Sequence, residues 1–298
     1  MYNQAMKIGI VGASGLVGEE VINLLLNLNH TDIKIFSRTD TYDFEAIDIL
    51  FLCTPAHVSE KLAPLALEAG VKVIDLSSAF RKDANVPLIL PEINGHLLEK
   101  HSNLIACPNC IVAIMLMVLG PLHKAFEISR IQITTYQAAS GAGKEGLLEL
   151  LENRPPKIFP HRLAHNLFLH ESTRLESGYS EEEDKIIFET KKILNAPEIG
   201  VNVRSVRVPT LRAHSMAVNV TFNKNPQDAF LTLTAAKGIL FHTSPTPQLA
   251  EHKKDIFYGP IRQDLSAANT LDLWICGDQL LRGAALTAIE ISQIIQLH

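Results

Sequence analysis

Residues 7–18 read KIGIVGASGLVG, and this stretch decides the architecture of the first half of the chain. Lys7-Ile-Gly-Ile-Val11 is a short apolar run of the kind that forms a buried strand. From Gly18 to Asn27, the spacing of Val21, Ile22, Leu24 and Leu25 predicts a helix. Between strand and helix, Gly12-Ala-Ser-Gly15-Leu-Val-Gly18 sets three glycines in a G-x-x-G-x-x-G pattern. Such a turn lets backbone approach a pyrophosphate closely, at a helix start whose free N–H groups and dipole favour negative charge. The segment is therefore expected to bind a dinucleotide through Gly12, Ser14, Gly15, Leu16 and Val17, a plain structural turn being the competing reading.

Working outward, Ile33–Phe36, Asp48–Cys53 and Val71–Asp75 read as further strands and Val58–Glu68 as an amphipathic helix. Strands alternating with helices predict a parallel α/β sheet. Only eleven residues separate Phe36 from Asp48, too few for a comfortable helical crossover, so an irregular connection is expected there. The second strand ends Phe36-Ser37-Arg38, where NAD enzymes place an acidic residue for the ribose hydroxyl. An arginine suits a 2′-phosphate and favours NADP; a solvated loop residue is the alternative.

After Cys110 the texture changes. Ile111–Phe126 reads as a buried helix interrupted near Gly120-Pro121. Arg130–Tyr136 and Met216–Phe222 alternate in character, which suits antiparallel strands with one solvated face. Pro155-Pro156 marks a loop, and Leu280–Gln296 has helical periodicity. The expected fold is α/β: a Rossmann-type parallel-sheet domain over 1–109, completed by a C-terminal segment from about 272 to 298. A second, α+β domain with a mainly antiparallel sheet would span 110–271.

Composition narrows the function classes. The 298 residues are 47% apolar and 20% charged, with a net charge of −5. No basic stripe follows a nucleic-acid backbone, so nucleic acid is not expected as a main partner. Four cysteines are too sparse for a disulfide scaffold and point to a reducing cytosol. The N-terminus lacks the pattern of a signal peptide, and the apolar run Ile111–Leu119 is too short for a membrane span. A cytoplasmic protein without membrane partners is expected.

Leu104–Val112 reads LIACPNCIV, a CxxC with three possible meanings. Zinc needs a second ligand pair, but Cys53 and Cys276 are isolated, and His161, His165 and His170 lack an HExxH pattern, so no metal is expected. A redox pair would sit early in its own small fold. The third reading places Cys110 at a helix N-terminus, where the dipole favours thiolate and backbone N–H groups can hold an oxyanion. A nucleophilic cysteine beside a nicotinamide cofactor suggests interconversion of an aldehyde and an acyl phosphate through a thioester, with a histidine as acid/base.

The blocks GASGLVG, DLSSAFRKD with PEIN, ACPNCIV, YQAASGAGKEG, EEEDKIIFETKKIL, VRVPTLRAHSMAVNV and GDQLLRGAALTAIEI occur in this order. Together the chain resembles the aspartate-β-semialdehyde dehydrogenase family along essentially its whole length. The resemblance implies that Cys110 is the nucleophile, with Asn109 beside it, that His214 is the acid/base and that Gln137 orients the substrate. It implies that Arg207 clamps the substrate α-carboxylate, that Arg81 and Lys185 grip phosphate, and that Glu182 lies near the substrate amino group. Ser140 and Gly141 would give a second NADP contact. Gln279 stands where the family usually has Asn, and Cys107 has no counterpart role. Spacing alone does not choose Arg207 over Arg212, and the run Glu181–Asp184 would by itself be a solvated face.

The implied reaction is NADPH-dependent reductive dephosphorylation of L-aspartyl-4-phosphate to L-aspartate-4-semialdehyde and phosphate, in aspartate-family amino-acid biosynthesis. The second domain would also carry dimerisation, in a homodimer or homotetramer. The rival readings are N-acetyl-γ-glutamyl-phosphate reductase, toward which FLCTPAHVSEKLAPLALEAGVKVIDLSSAFR leans, and a catalytically silent NADP-binding protein of the same fold.

Overall fold

The first strand, β1 (Ile8–Val11), is buried along its whole length because it lies inside a parallel sheet. The computed structural model describes residues 6–37, 42–100 and 103–296, which fall into two units: 1–109 with 284–298, and 110–283.

In the first unit, β1 leads to α1 (Leu16–Asn27), then β2 (Ile33–Phe36), β3 (Ile49–Leu52), α2 (Ala56–Glu68), β4 (Lys72–Asp75), α3 (Pro91–Asn94) and β5 (Leu104–Ala106). The strand order is β2-β1-β3-β4-β5, every pair parallel. All four residues of β3 are fully buried. Continuous apolar strands are what a parallel sheet covered on both faces requires. The described part of the short connection, residues 42–48, has no helix or strand, and Tyr42 and Phe44 pack against Phe36 with ring centroids 5.9 and 5.4 Å away. Arg38 lies outside the described residues.

The second unit opens with α4 (Cys110–Phe126), which runs straight through Gly120-Pro121, where an interruption was expected. Pro121 removes one backbone donor, but the residues around it are buried, and tertiary packing rather than propensity sustains the helix. There follow β6 (Ile128–Gln137), α5 (Gly143–Leu151), β7 (Phe168–Leu169), α6 (Glu181–Leu194), β8 (Gly200–Arg207) and β9 (His214–Phe222). The remaining elements are α7 (Ala229–Thr234), β10 (Ile239–Phe241), α8 (Pro247–Ala250), β11 (Ile256–Tyr258), β12 (Arg262–Gln263) and β13 (Thr270–Gly277). The sheet order is β10-β11-β13-β9-β6-β8-β7, with β12 also on β13. Its β6–β8 and β10–β11 pairs are parallel and the rest antiparallel.

Because β13 pairs with β9 along its full length, residues 272–283 stay with the second unit. The chain returns to the first unit at Ala284, and α9 (Leu286–Gln296) packs there against α1 and β4. Among the described residues no helix is long and apolar enough to cross a membrane.

Gly12, at the end of β1, has φ +86°, and a Cβ there would lie 2.2 Å from the carbonyl oxygen of Cys53. Gly12→Ala combines positive-φ strain with a backbone clash and is expected to cost about 1–3 kcal/mol. Urea unfolding should show the midpoint falling with the slope unchanged; an unaltered midpoint would show that the turn relaxes freely.

Candidate active site

Four strand ends of the second unit form a row. Gln137 ends β6 and faces Arg207, the end of β8, while Tyr136 faces Ser215, and His214, the start of β9, faces Gly277 at the end of β13. Gln137, Arg207 and His214 are all buried, at 2%, 1% and 0% exposure. The start of α4 lies against this row: a Cβ on Gly277 would come within 2.9 Å of Ile114, one turn beyond Cys110. A Cβ on Gly283 would lie 2.8 Å from the Cβ of Cys110 itself, so glycine is what lets the chain pass the thiol. Cys110 is half-buried and is the first residue of its helix, where the macrodipole stabilises negative charge.

His214 Nδ1 accepts a hydrogen bond from the Ala138 N–H at 3.0 Å, which puts the proton of the neutral ring on Nε2. Burial, and then the positive charge of Arg207, push its pKa well below the ordinary 6.5. The ring is thus neutral at pH 7, and its buried Nε2 has no hydrogen-bond partner among the described residues. A buried donor left unused costs free energy and calls for a functional reason.

Gln137 Nε2 reaches Thr135 Oγ1 at 3.3 Å and Glu182 Oε1 at 3.4 Å. The acidic run on α6 is not a solvated face, since Glu182 and Glu183 are both buried. Ser180 and Glu183 form a reciprocal capping box, and Glu183 also accepts from the Ser205 N–H and pairs with Arg174 and Arg204. Glu183 is thereby committed to the helix start, and Glu182 turns to Gln137. The S-x-x-E signature at Ser180–Glu183 is a signal in the sequence that separates the two. Lys185, one turn after Glu182, is half-buried and acts electrostatically on His170.

The two arginines are also distinguished. Arg212 pairs with the buried Asp278 at 2.6 Å, a carboxylate that further accepts from the His252, Leu280 and Leu281 N–H groups. Arg207 stays in the row, over the ring of Phe159 at 5.4 Å, and makes a two-pronged pair with Glu171. His170 and Glu171 complete this cluster, yet sequence reasoning weighed His170 only as a metal ligand and did not consider Glu171. Ser140 and Gly141 lie in a tight turn (Ala139–Ala142), with Gly141 against Arg207 and His214. Gln279 donates to Ser140 Oγ at 2.5 Å and accepts from the Ala213 N–H at 2.8 Å, so the longer amide still bridges these two segments.

In the first unit, Gly12, Ser14 and Gly15 line a cleft of about 940 Å³ with Ser37, Tyr42 and His57. Gly15 is the N-cap of α1 and, having no side chain, makes no side-chain cap hydrogen bond to the helix start at Leu16 and Val17. This glycine-walled helix start fits a dinucleotide pyrophosphate. Arg81 is buried in the same unit, donating to the Leu76 carbonyl at 3.1 Å close to Asp75. Asn109 is buried and immediately precedes Cys110. Cys107 is fully buried, and burial together with Asp75 drives its thiol far above the ordinary range, so it stays protonated.

Comparison with known proteins identifies the family. The family description "Semialdehyde dehydrogenase, dimerisation domain" matches residues 119–282, and "Semialdehyde dehydrogenase, NAD binding domain" matches residues 29–101. An aspartate-semialdehyde dehydrogenase of Prochlorococcus marinus is 36% identical, with 98% of this chain and 96% of that protein covered. Among solved structures, aspartate semialdehyde dehydrogenase II of Vibrio cholerae complexed with ASA superposes with a TM-score of 0.93 at 31% identity, covering 98% of each chain. The Candida albicans aspartate semialdehyde dehydrogenase with NADP, at 21% identity and a TM-score of 0.77 over 98% of each chain, shares the fold. The chain therefore belongs to the aspartate-semialdehyde dehydrogenase family.

Proposed function

We propose that the protein catalyses the NADPH-dependent conversion of L-aspartyl-4-phosphate to L-aspartate-4-semialdehyde and phosphate, through a thioester on Cys110. The observation that carries this reading is His214, a buried neutral histidine with an unused Nε2–H, in the strand-end row against which the Cys110 helix starts.

The Cys110 thiolate attacks the acyl carbon; its C–S bond forms, the carbonyl electrons move to oxygen, and their return expels phosphate. The glycine turn at Gly12–Val17 would hold a nicotinamide cofactor, which when bound would supply the hydride chemistry for reducing the thioester. His214 Nε2–H donates to the oxygen that gains negative charge and takes part in proton transfer as the C–S bond breaks to release aldehyde and thiolate. Gln137 holds the acyl group beside the sulfur. Glu182 faces the substrate ammonium, Arg207 the α-carboxylate and Lys185 the phosphate. Ser140, Gly141 and Gln279 are proposed as the second cofactor contact. A homodimer or homotetramer is proposed on the strength of the matched dimerisation domain.

Phosphate-dependent reduction of NADP by aspartate semialdehyde tests the reading, with N-acetylglutamate semialdehyde as the control substrate; turnover of the control alone would assign the rival reductase. Cys110→Ala should lose about 10⁴-fold or more in kcat. Cys107→Ala should keep near-wild-type turnover, and the reverse pattern would contradict the assignment.

The sign of the His214 shift fixes the pH behaviour. The folded protein binds this proton less readily than the unfolded chain, so the stability that neutral His214 contributes is full above pH 6.5 and is lost as pH falls from there toward the depressed folded value. The acid limb of kcat/KM due to His214 should accordingly lie below 6.5. His214→Asn should lower kcat about 10²–10⁴-fold and remove that limb. A wild-type limb centred above 6.5 and abolished by His214→Asn would overturn the neutral-histidine assignment.

A further inference from the structure

Arg207 is a buried cation whose donors are almost all engaged within the second unit. Nε–H donates to Glu171 Oε2 at 3.2 Å, and Nη2 donates to Glu171 Oε1 at 2.6 Å and to His170 Nε2 at 2.9 Å. Nη1 donates to the Ala138 carbonyl. A guanidinium carries five N–H groups and only donates, so among the described residues a single Nη1 N–H remains. A guanidinium cannot accept, so His170 Nε2 accepts from Arg207, and its Nδ1 lies 3.1 Å from Ser172 Oγ and 3.3 Å from the Ser172 N. Burial, the largest cause, keeps this ring's pKa below the ordinary range, consistent with an uncharged acceptor.

Glu171 is held there by the fold. Phe168 of β7 pairs with Arg207 and Leu169 with Val206, and the His170 N–H donates to the Ser205 carbonyl at 2.9 Å. The chain therefore delivers residue 171 to the guanidinium as a continuation of the strand. The side chain of Glu171 is 19% exposed, and although burial opposes its ionisation, the hydrogen bonds and charge of Arg207 hold its carboxyl below the usual range. The fork–fork geometry of Nε and Nη2 is the one a guanidinium offers to a bound carboxylate.

We infer that Glu171 is a resident competitor: its carboxylate occupies the face of Arg207 that a substrate carboxylate would use, and it sets how tightly the site holds a carboxylate-bearing aldehyde. This rests on the reading above that Arg207 receives the substrate α-carboxylate. With the fork filled by Glu171, a bidentate substrate contact forms only when the Glu171 side chain leaves. The apparent affinity is then reduced by the fraction of molecules in which Arg207 is released. Glu171 is a specificity-determining residue in this scheme, acting through the guanidinium and not on the reacting atoms.

The test compares wild type with Glu171→Gln and Glu171→Ala, on aspartate semialdehyde and on 3-aminopropanal, which lacks the carboxylate. Glu171→Gln keeps the shape and one acceptor for Arg207, so it remains informative if the alanine variant fails to fold. If Arg207 is released in fewer than about one molecule in ten, Glu171→Gln lowers KM for aspartate semialdehyde about tenfold or more. The change is carried by KM and not kcat, and KM for 3-aminopropanal stays where it was. An aspartate semialdehyde KM that is unchanged or raised, or an equal change for both aldehydes, overturns the inference. If wild type turns over neither aldehyde, the functional reading has failed, and calorimetry with L-aspartate as the carboxylate probe decides the Glu171 question separately. Tighter binding to Glu171→Gln then supports the competitor, and equal or weaker binding rejects it.

Discussion

The register of the second sheet is the constraint on which the candidate site depends. Because β6 is parallel to β8 and antiparallel to β9, which is antiparallel to β13, the chemically important ends of four strands fall on one edge. Gln137, Arg207 and His214 meet there although they are separated by up to 77 positions, as their numbers 137 and 214 show. A slip of one residue in any pairing would turn one of these side chains to the opposite face. The buried apolar residues of β6 and β9, Ile131, Ile133, Val218 and Val220, oppose such a slip. The alternation that makes the sheet thus also aligns the site.

Burial then sets the chemistry of each group. It keeps His214 neutral and Cys107 protonated, and it forces Arg207 to find a counter-charge within the fold. Cys110 differs from the other cysteine of the CxxC in its placement: it is half-buried and opens a helix, whereas Cys107 is sealed. Within the first unit, the positive φ of Gly12 and the absence of a side chain at Gly15, the N-cap of α1, leave a turn whose geometry suits a phosphate.

Much of this was legible in the sequence, for a physical reason. The glycine turn and a cysteine opening an apolar helix at Cys110 are local patterns, and local patterns survive without knowledge of the fold; Asn109, Arg207 and His214 are singled out by the family resemblance, since spacing alone does not choose Arg207 over Arg212. Long apolar runs likewise revealed the parallel sheet. Legibility failed where distant packing overrides a local rule. Pro121 would break an isolated helix, yet α4 continues because its surroundings are buried. The run Glu181–Asp184 looks solvated, but a capping box draws Glu183 inward and Gln137 meets Glu182. The Arg207–Glu171 pair depends on β7, two residues long, whose partner strand only the folded chain selects.

The claim at the centre of this account is that Cys110, and no other cysteine, carries the acyl group. The direct measurement is peptide mass mapping after acid quench of enzyme incubated with aspartate semialdehyde and NADP, with phosphate omitted so that the acyl group cannot leave to it. The account predicts an aspartyl adduct on the peptide containing Cys110, lost on addition of phosphate before the quench and absent in Cys110→Ser. An adduct on Cys107, Cys53 or Cys276, or NADPH formation that produces no adduct and survives in Cys110→Ser, would contradict it.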